Sequence, residues 1–97
     1  MCRATAAERA HMDRVASLGC VLCAELGQHQ TGRTTLHHPR EGQGGAQRSP
    51  NWLVIPLCED CHQGSGNGFH GRRAMWRLAK WDEMDALAAT IEALHER

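Results

Sequence analysis

Aromatic side chains are scarce: one phenylalanine, three tryptophans and no tyrosine in 97 residues. Little bulk is left to fill a core, and a chain of this length builds one small domain at most. No stretch approaches the ~18 consecutive apolar residues that a membrane span needs. The opening "MCRATAAERA" lacks the apolar run of a secretory leader, so a cytoplasmic address without a membrane partner is expected. Lysine is nearly missing, and the basic side chains are almost all arginine. Net charge is zero, which alone argues against a polyanionic partner.

The charge is nevertheless uneven. Between residues 33 and 77, six arginines face Glu41, Glu59 and Asp60, a local excess of three positive charges. From Asp82 onward five acids face Arg97. A basic centre with an acidic tail suits a phosphate-facing side opposite a solvated back. The apolar fraction of 41% leans on alanine, leucine and cysteine, so a metal cross-link would help a domain this small.

Five cysteines in a reducing compartment read as metal ligands rather than disulfides. Cys2 is the unpaired remainder, an ordinary free thiol near a frayed end. The other four form two Cys-x2-Cys pairs, Cys20 with Cys23 and Cys58 with Cys61. Four thiolates suit a tetrahedral structural zinc with no open position for chemistry. They also suit an iron–sulfur cluster, but nothing else in the chain speaks for redox chemistry.

Along the chain, Thr5-x-x-Glu8 is a capping-box pattern that starts a helix over about residues 5–18, with Gly19 as its stop. "TTLHH" reads as a short strand. "PREGQGGAQRSPN" is a loop that joins it to a second strand, "WLVIPL", giving an antiparallel ribbon. A helix starts near Asp60, the glycines of "GSGNG" interrupt it, and "GRRAMWRLAKW" is helical again. Asp82 is the expected N-cap of a last helix whose packing face is Met84, Leu87, Ala88, Ile91 and Leu94. The expected class is α+β in one domain, with knuckles and ribbon over about residues 19–72 and helices over about 72–96.

Seven histidines include four in informative places: His37, His38, His62 and His70. Successive helical side chains diverge by about 100°, so His62 points away from the ion that Cys61 would hold. A second centre follows, and His70 could fold back beside it. On a strand His37 and His38 face opposite ways, so one can bind metal while the other addresses a water. That division suits phosphodiester hydrolysis, with a divalent cation neutralising charge and a neutral imidazole taking the water's proton. Asn51 is placed to reach across the ribbon and orient the imidazole. His11, His29 and His95 read as surface or satisfied core residues.

The order "TTLHHPREGQGG…NWLVIPLCEDCHQ…FH" resembles the HNH, or ββα-metal, nuclease motif. More narrowly, "HMDRVASLGCVLC", "HHPREGQGGAQR" and "IPLCEDCHQGSGNGFHG" resemble the phage recombination-enhancement, RecA-dependent nuclease family. The resemblance implies a zinc-stapled ββα-metal domain in which His37, His62 and His70 bind a catalytic divalent ion (Mg²⁺, Mn²⁺ or Zn²⁺). It further implies His38 as general base, Asn51 as its orienting residue, and Cys20, Cys23, Cys58 and Cys61 on structural zinc. Arg40 and Arg48, in the joining loop, are candidates for phosphate contacts, since a guanidinium fork matches phosphate oxygens. DNA is the expected substrate, with a RecA filament as a possible partner. The rival reading is a zinc-stabilised nucleic-acid-binding or interaction module without catalysis. RNA cleavage by the same centre is a further alternative, because nothing in the motif reads the sugar.

Overall fold

The computed structural model describes residues 3–30, 32–40, 49–62 and 75–96, with the side chains of Asp60 and His62 left aside. In chain order these hold α1 (Ala6–Ser17), α2 (Val21–Glu25), β1 (Thr34–His37), β2 (Ile55–Cys58), α3 (Glu59–His62) and α4 (Glu83–His95). Residues 75–79 are also helical. The result is a small α+β arrangement with one two-stranded antiparallel sheet.

Local chemistry explains most boundaries. Thr5 Oγ1 accepts from Glu8 N–H at 3.1 Å and Glu8 Oε1 accepts from Thr5 N–H at 2.7 Å, so the predicted capping box starts α1. Gly19 ends it with φ +81° and donates its N–H to Ala16 O at 3.2 Å. The Asp82 cap is also a reciprocal box, here with Asp85 at 2.9 Å in both directions. Just before it, Lys80 adopts φ 59°. The bonds Lys80 N–H to Arg77 O and Trp81 N–H to Trp76 O complete a Schellman closure there.

Two expectations need correction. The second strand begins at Ile55 rather than Trp52, because Leu53 N–H bonds Pro50 O at 2.9 Å and bends residues 50–53 into a turn. Proline and asparagine favour that turn over an extended start. The packing face of α4 is also rotated. Ala86, Leu87 and Thr90 are buried, whereas Met84 is 52% and Ile91 45% exposed and Ala88 lies outside. The inward stripe is therefore 83–86–87–90, headed by Glu83.

The ribbon pairs Thr34 with Cys58, Thr35 with Leu57, Leu36 with Pro56 and His37 with Ile55. Pro56 has no N–H, which suits a pair outside the hydrogen-bonded ladder. All four β2 residues are buried. Leu22, Ile55 and Leu57 are fully buried, each worth roughly 1.5–3 kcal/mol. They share one cluster with the four paired cysteines, Ala86 and Leu87, flanked by Trp76 and Trp81. Trp76 reaches the cysteines directly, its Nε1–H donating to Cys61 O at 3.4 Å. The register puts the cysteine end and His37 about 10 Å apart, at ~3.3 Å per residue.

Candidate metal and catalytic centres

The first knuckle is a helix start. Cys20 caps α2, its Sγ accepting from Cys23 N–H at 3.4 Å. Its own N–H donates to Gln30 Oε1 at 2.7 Å, and Gln30 Nε2 donates to Gly32 O at 3.1 Å and Thr34 Oγ1 at 2.9 Å. Gln30 thereby ties the knuckle to the first residue of β1. The second knuckle spans the end of β2, at Cys58, and α3, at Cys61.

The ligand sulfurs of Cys20, Cys23, Cys58 and Cys61 all lie within 4.8 Å of one another, and all four residues are buried. Cys23 Sγ is 3.7 Å from Cys58 Sγ and 3.8 Å from Cys61 Sγ. A zinc at ~2.3 Å from each of four thiolates sets tetrahedral edges of about 3.8 Å. Disulfide sulfurs would sit at ~2.05 Å. The cluster therefore has the spacing of a metal cage. Its protons are unevenly held: a hydrogen bond from Cys61 pulls the Cys20 thiol down to about 5. Burial and the Cys20 charge push Cys23 up to about 12, and the hydrogen bond to Cys20 together with burial drives Cys61 far up. A metal is held by thiolates, so closing the cage must release protons.

The far end of the ribbon carries the second group. His37 is the last residue of β1, and His38 lies just beyond the strand. His38 Nε2 and Asn51 Oδ1 are 2.9 Å apart. A carbonyl oxygen only accepts, so Nε2 is the donor in this contact. Asn51 sits in the turn that replaces the expected strand start. That turn is held from α1: His11 Nε2–H donates to Trp52 O at 3.0 Å, and the two rings lie 4.9 Å apart at 45°.

His37 Nε2 makes a close contact with Glu83 Oε2 from the start of α4. The Arg40 backbone N–H is 2.9 Å from Glu83 Oε1 and 3.1 Å from Oε2. Pro39 between them is buried, so a short stretch of chain beyond β1 is clamped to the first turn of α4. The side chain of Arg40 is exposed.

Residues 4–97 match the family described as recombination enhancement, RecA-dependent nuclease. The chain belongs to this family. No curated protein and no solved structure matches it.

In this member of the RecA-dependent nuclease family, the ribbon brings His37, His38 and Asn51 to one end and the four cysteines to the other. His62 closes α3, but its side chain, like all of His70 and Arg48, lies outside the described residues. The leftover Cys2 lies outside them as well. Sequence reasoning missed Glu83 and Gln30, while His11 is the satisfied histidine it was read as, bonded to Trp52 O. Glu83 had been counted with the solvated acids of the last helix. Its signal was positional: an acid three and four residues before Ala86 and Leu87 shares their face.

Proposed function

We propose that the chain is a metal-dependent DNA endonuclease of the HNH kind, acting in recombination on DNA presented by a RecA filament. The family match supports nuclease chemistry, and the His38–Asn51 contact carries the mechanistic reading. The four-cysteine cage holds structural zinc and activates no water. Catalysis belongs to the opposite end of the ribbon.

There, Asn51 holds the imidazole of His38 by its Nε2–H, leaving Nδ1 to accept a proton from an attacking water. The water oxygen bonds to phosphorus, the P–O3′ bond breaks, the departing 3′ oxygen takes a proton from solvent, and the products are a 5′-phosphate and a 3′-hydroxyl. His37, with His62 and His70, would hold the divalent cation, which supplies positive charge toward the phosphate and the departing 3′ oxygen. Imidazole is a donor that suits Zn²⁺ and other transition metals, and Mg²⁺ or Mn²⁺ could be accommodated with added oxygen donors. Arg40, exposed beside this end, and Arg48 would contact flanking phosphates.

The test compares the parent with His38→Ala on DNA and matched RNA, with Mg²⁺ or Mn²⁺ added. Cleavage of DNA by the parent and its loss in the variant support the reading. Equal residual cleavage, or binding by both proteins without cleavage under any metal, would leave a non-catalytic nucleic-acid-binding module. Cleavage of RNA alone would replace the substrate.

A further inference from the structure

Glu83 is the acid that the apolar pattern of α4 did not call for. A helix packed by hydrophobicity alone would bury Met84 and Ile91. Here Met84 is 52% and Ile91 45% exposed, while Glu83 turns inward with its side chain 23% exposed. Local rules broken in this direction mark functional positions more often than packing. The carboxylate is also well held: it is the first residue of α4 after its N-cap, where the helix dipole favours negative charge. Both its oxygens take the Arg40 N–H, and Oε2 meets His37 Nε2.

We propose that Glu83 is the positioning residue of the divalent-metal centre, fixing the His37 ring in its Nε2–H form so that Nδ1 is the atom committed to the metal. An ionised carboxylate carries no proton, so at this contact the ring nitrogen donates. A metal-ligating histidine generally donates its other ring N–H to such an acceptor, which fixes the tautomer and the plane of the ring. The Arg40 backbone bond keeps the carboxylate from swinging away and ties the strand end to the same anchor. The inference rests on the reading of His37 as a ligand. It adds the residue that makes His37 a competent one.

The test uses the zinc-loaded full chain, labelled with ¹⁵N-histidine, in the parent and in Glu83→Ala, Glu83→Gln and His37→Ala. Three readouts are taken: the ring-nitrogen NMR signals of His37, Mn²⁺ affinity from the free-Mn²⁺ EPR signal, and zinc content. The expected result is an Nε2–H ring in the parent and a tautomer mixture in Glu83→Ala. Mn²⁺ binding in that variant should be ~10- to 100-fold weaker while zinc content is unchanged. Glu83→Gln keeps an acceptor oxygen and should retain the Nε2–H form with a smaller loss of Mn²⁺ affinity. It also decides the matter if the alanine variant fails to fold. The inference is overturned if His37→Ala loses Mn²⁺ binding while both Glu83 variants keep the parental ring signals and affinity. Parental Mn²⁺ binding by His37→Ala would instead remove His37 from the metal centre, and the inference with it.

Discussion

Asn51 should matter only through His38, and that can be measured as an energy. Replacing Asn51 with alanine removes one neutral hydrogen bond of 2.9 Å from a part-buried imidazole. Such a bond contributes about 0.5–1.5 kcal/mol net. At 1.36 kcal/mol per factor of ten, kcat should fall about 2- to 12-fold. Removing the proposed base, in His38→Ala, should cost on the order of 10²- to 10⁴-fold. The informative protein is the double variant. If Asn51 only orients the ring, Asn51→Ala has nothing left to disturb once the ring is gone, and the double variant should cleave as slowly as His38→Ala alone. Initial rates on a fluorescent DNA duplex under saturating Mn²⁺ measure all four corners of the cycle, with zinc content as the folding control. A further 2- to 12-fold drop in the double variant would show that Asn51 acts independently of His38 and would refute this account of the site.

Three further outcomes follow from the geometry. Zinc binding should release protons, because Cys23, pushed up to about 12, and Cys61, also pushed up, must ionise to join Cys20. Zinc affinity should therefore fall as pH falls, and zinc should leave on acidification; a chromogenic chelator assay showing pH-independent affinity between pH 8 and 5 would contradict it. Gly19→Ala should destabilise by about 1–2 kcal/mol, since φ +81° is strained for a residue with a Cβ, which would also stand 3.2 Å from Gln30 Oε1. Urea titration of the zinc-loaded protein measures that loss, and an unchanged midpoint would contradict the role of this glycine. His11→Phe keeps a ring against Trp52 but loses the 3.0 Å bond to its carbonyl, and should cost about 1 kcal/mol in the same titration.

Features decided within a few residues were legible in the sequence. The capping box at Thr5, the stop at Gly19 and the cap at Asp82 are contacts between a side chain and backbone three positions away, or a single φ, and the residues name them. The paired cysteines were legible because their spacing is itself the chemistry. The strand start was not, since "WLV" has strand composition while the bond from Leu53 to Pro50 makes a turn. The face of α4 misled for a physical reason. The stripe 84–87–88–91–94 is entirely apolar and 83–86–87–90 includes an acid and a threonine, so periodicity favours the wrong one. The face that is buried also brings Glu83 to His37 forty-six positions away, a contact that no local window contains. Gln30 escaped notice similarly, because its bonds join a knuckle to a strand start and leave no repeating pattern.

That forty-six-residue separation also orders events in time. The four thiols are complete once residue 61 exists, so in a chain made from its N-terminus the cysteine cluster can gather early. Glu83 arrives only with the last helix. The cysteines can therefore gather before His37 meets Glu83. The core is completed in the same step, because Ala86 and Leu87 of that helix pack into the cluster that holds the four cysteines, so the fold and the anchoring of His37 are finished together when it docks.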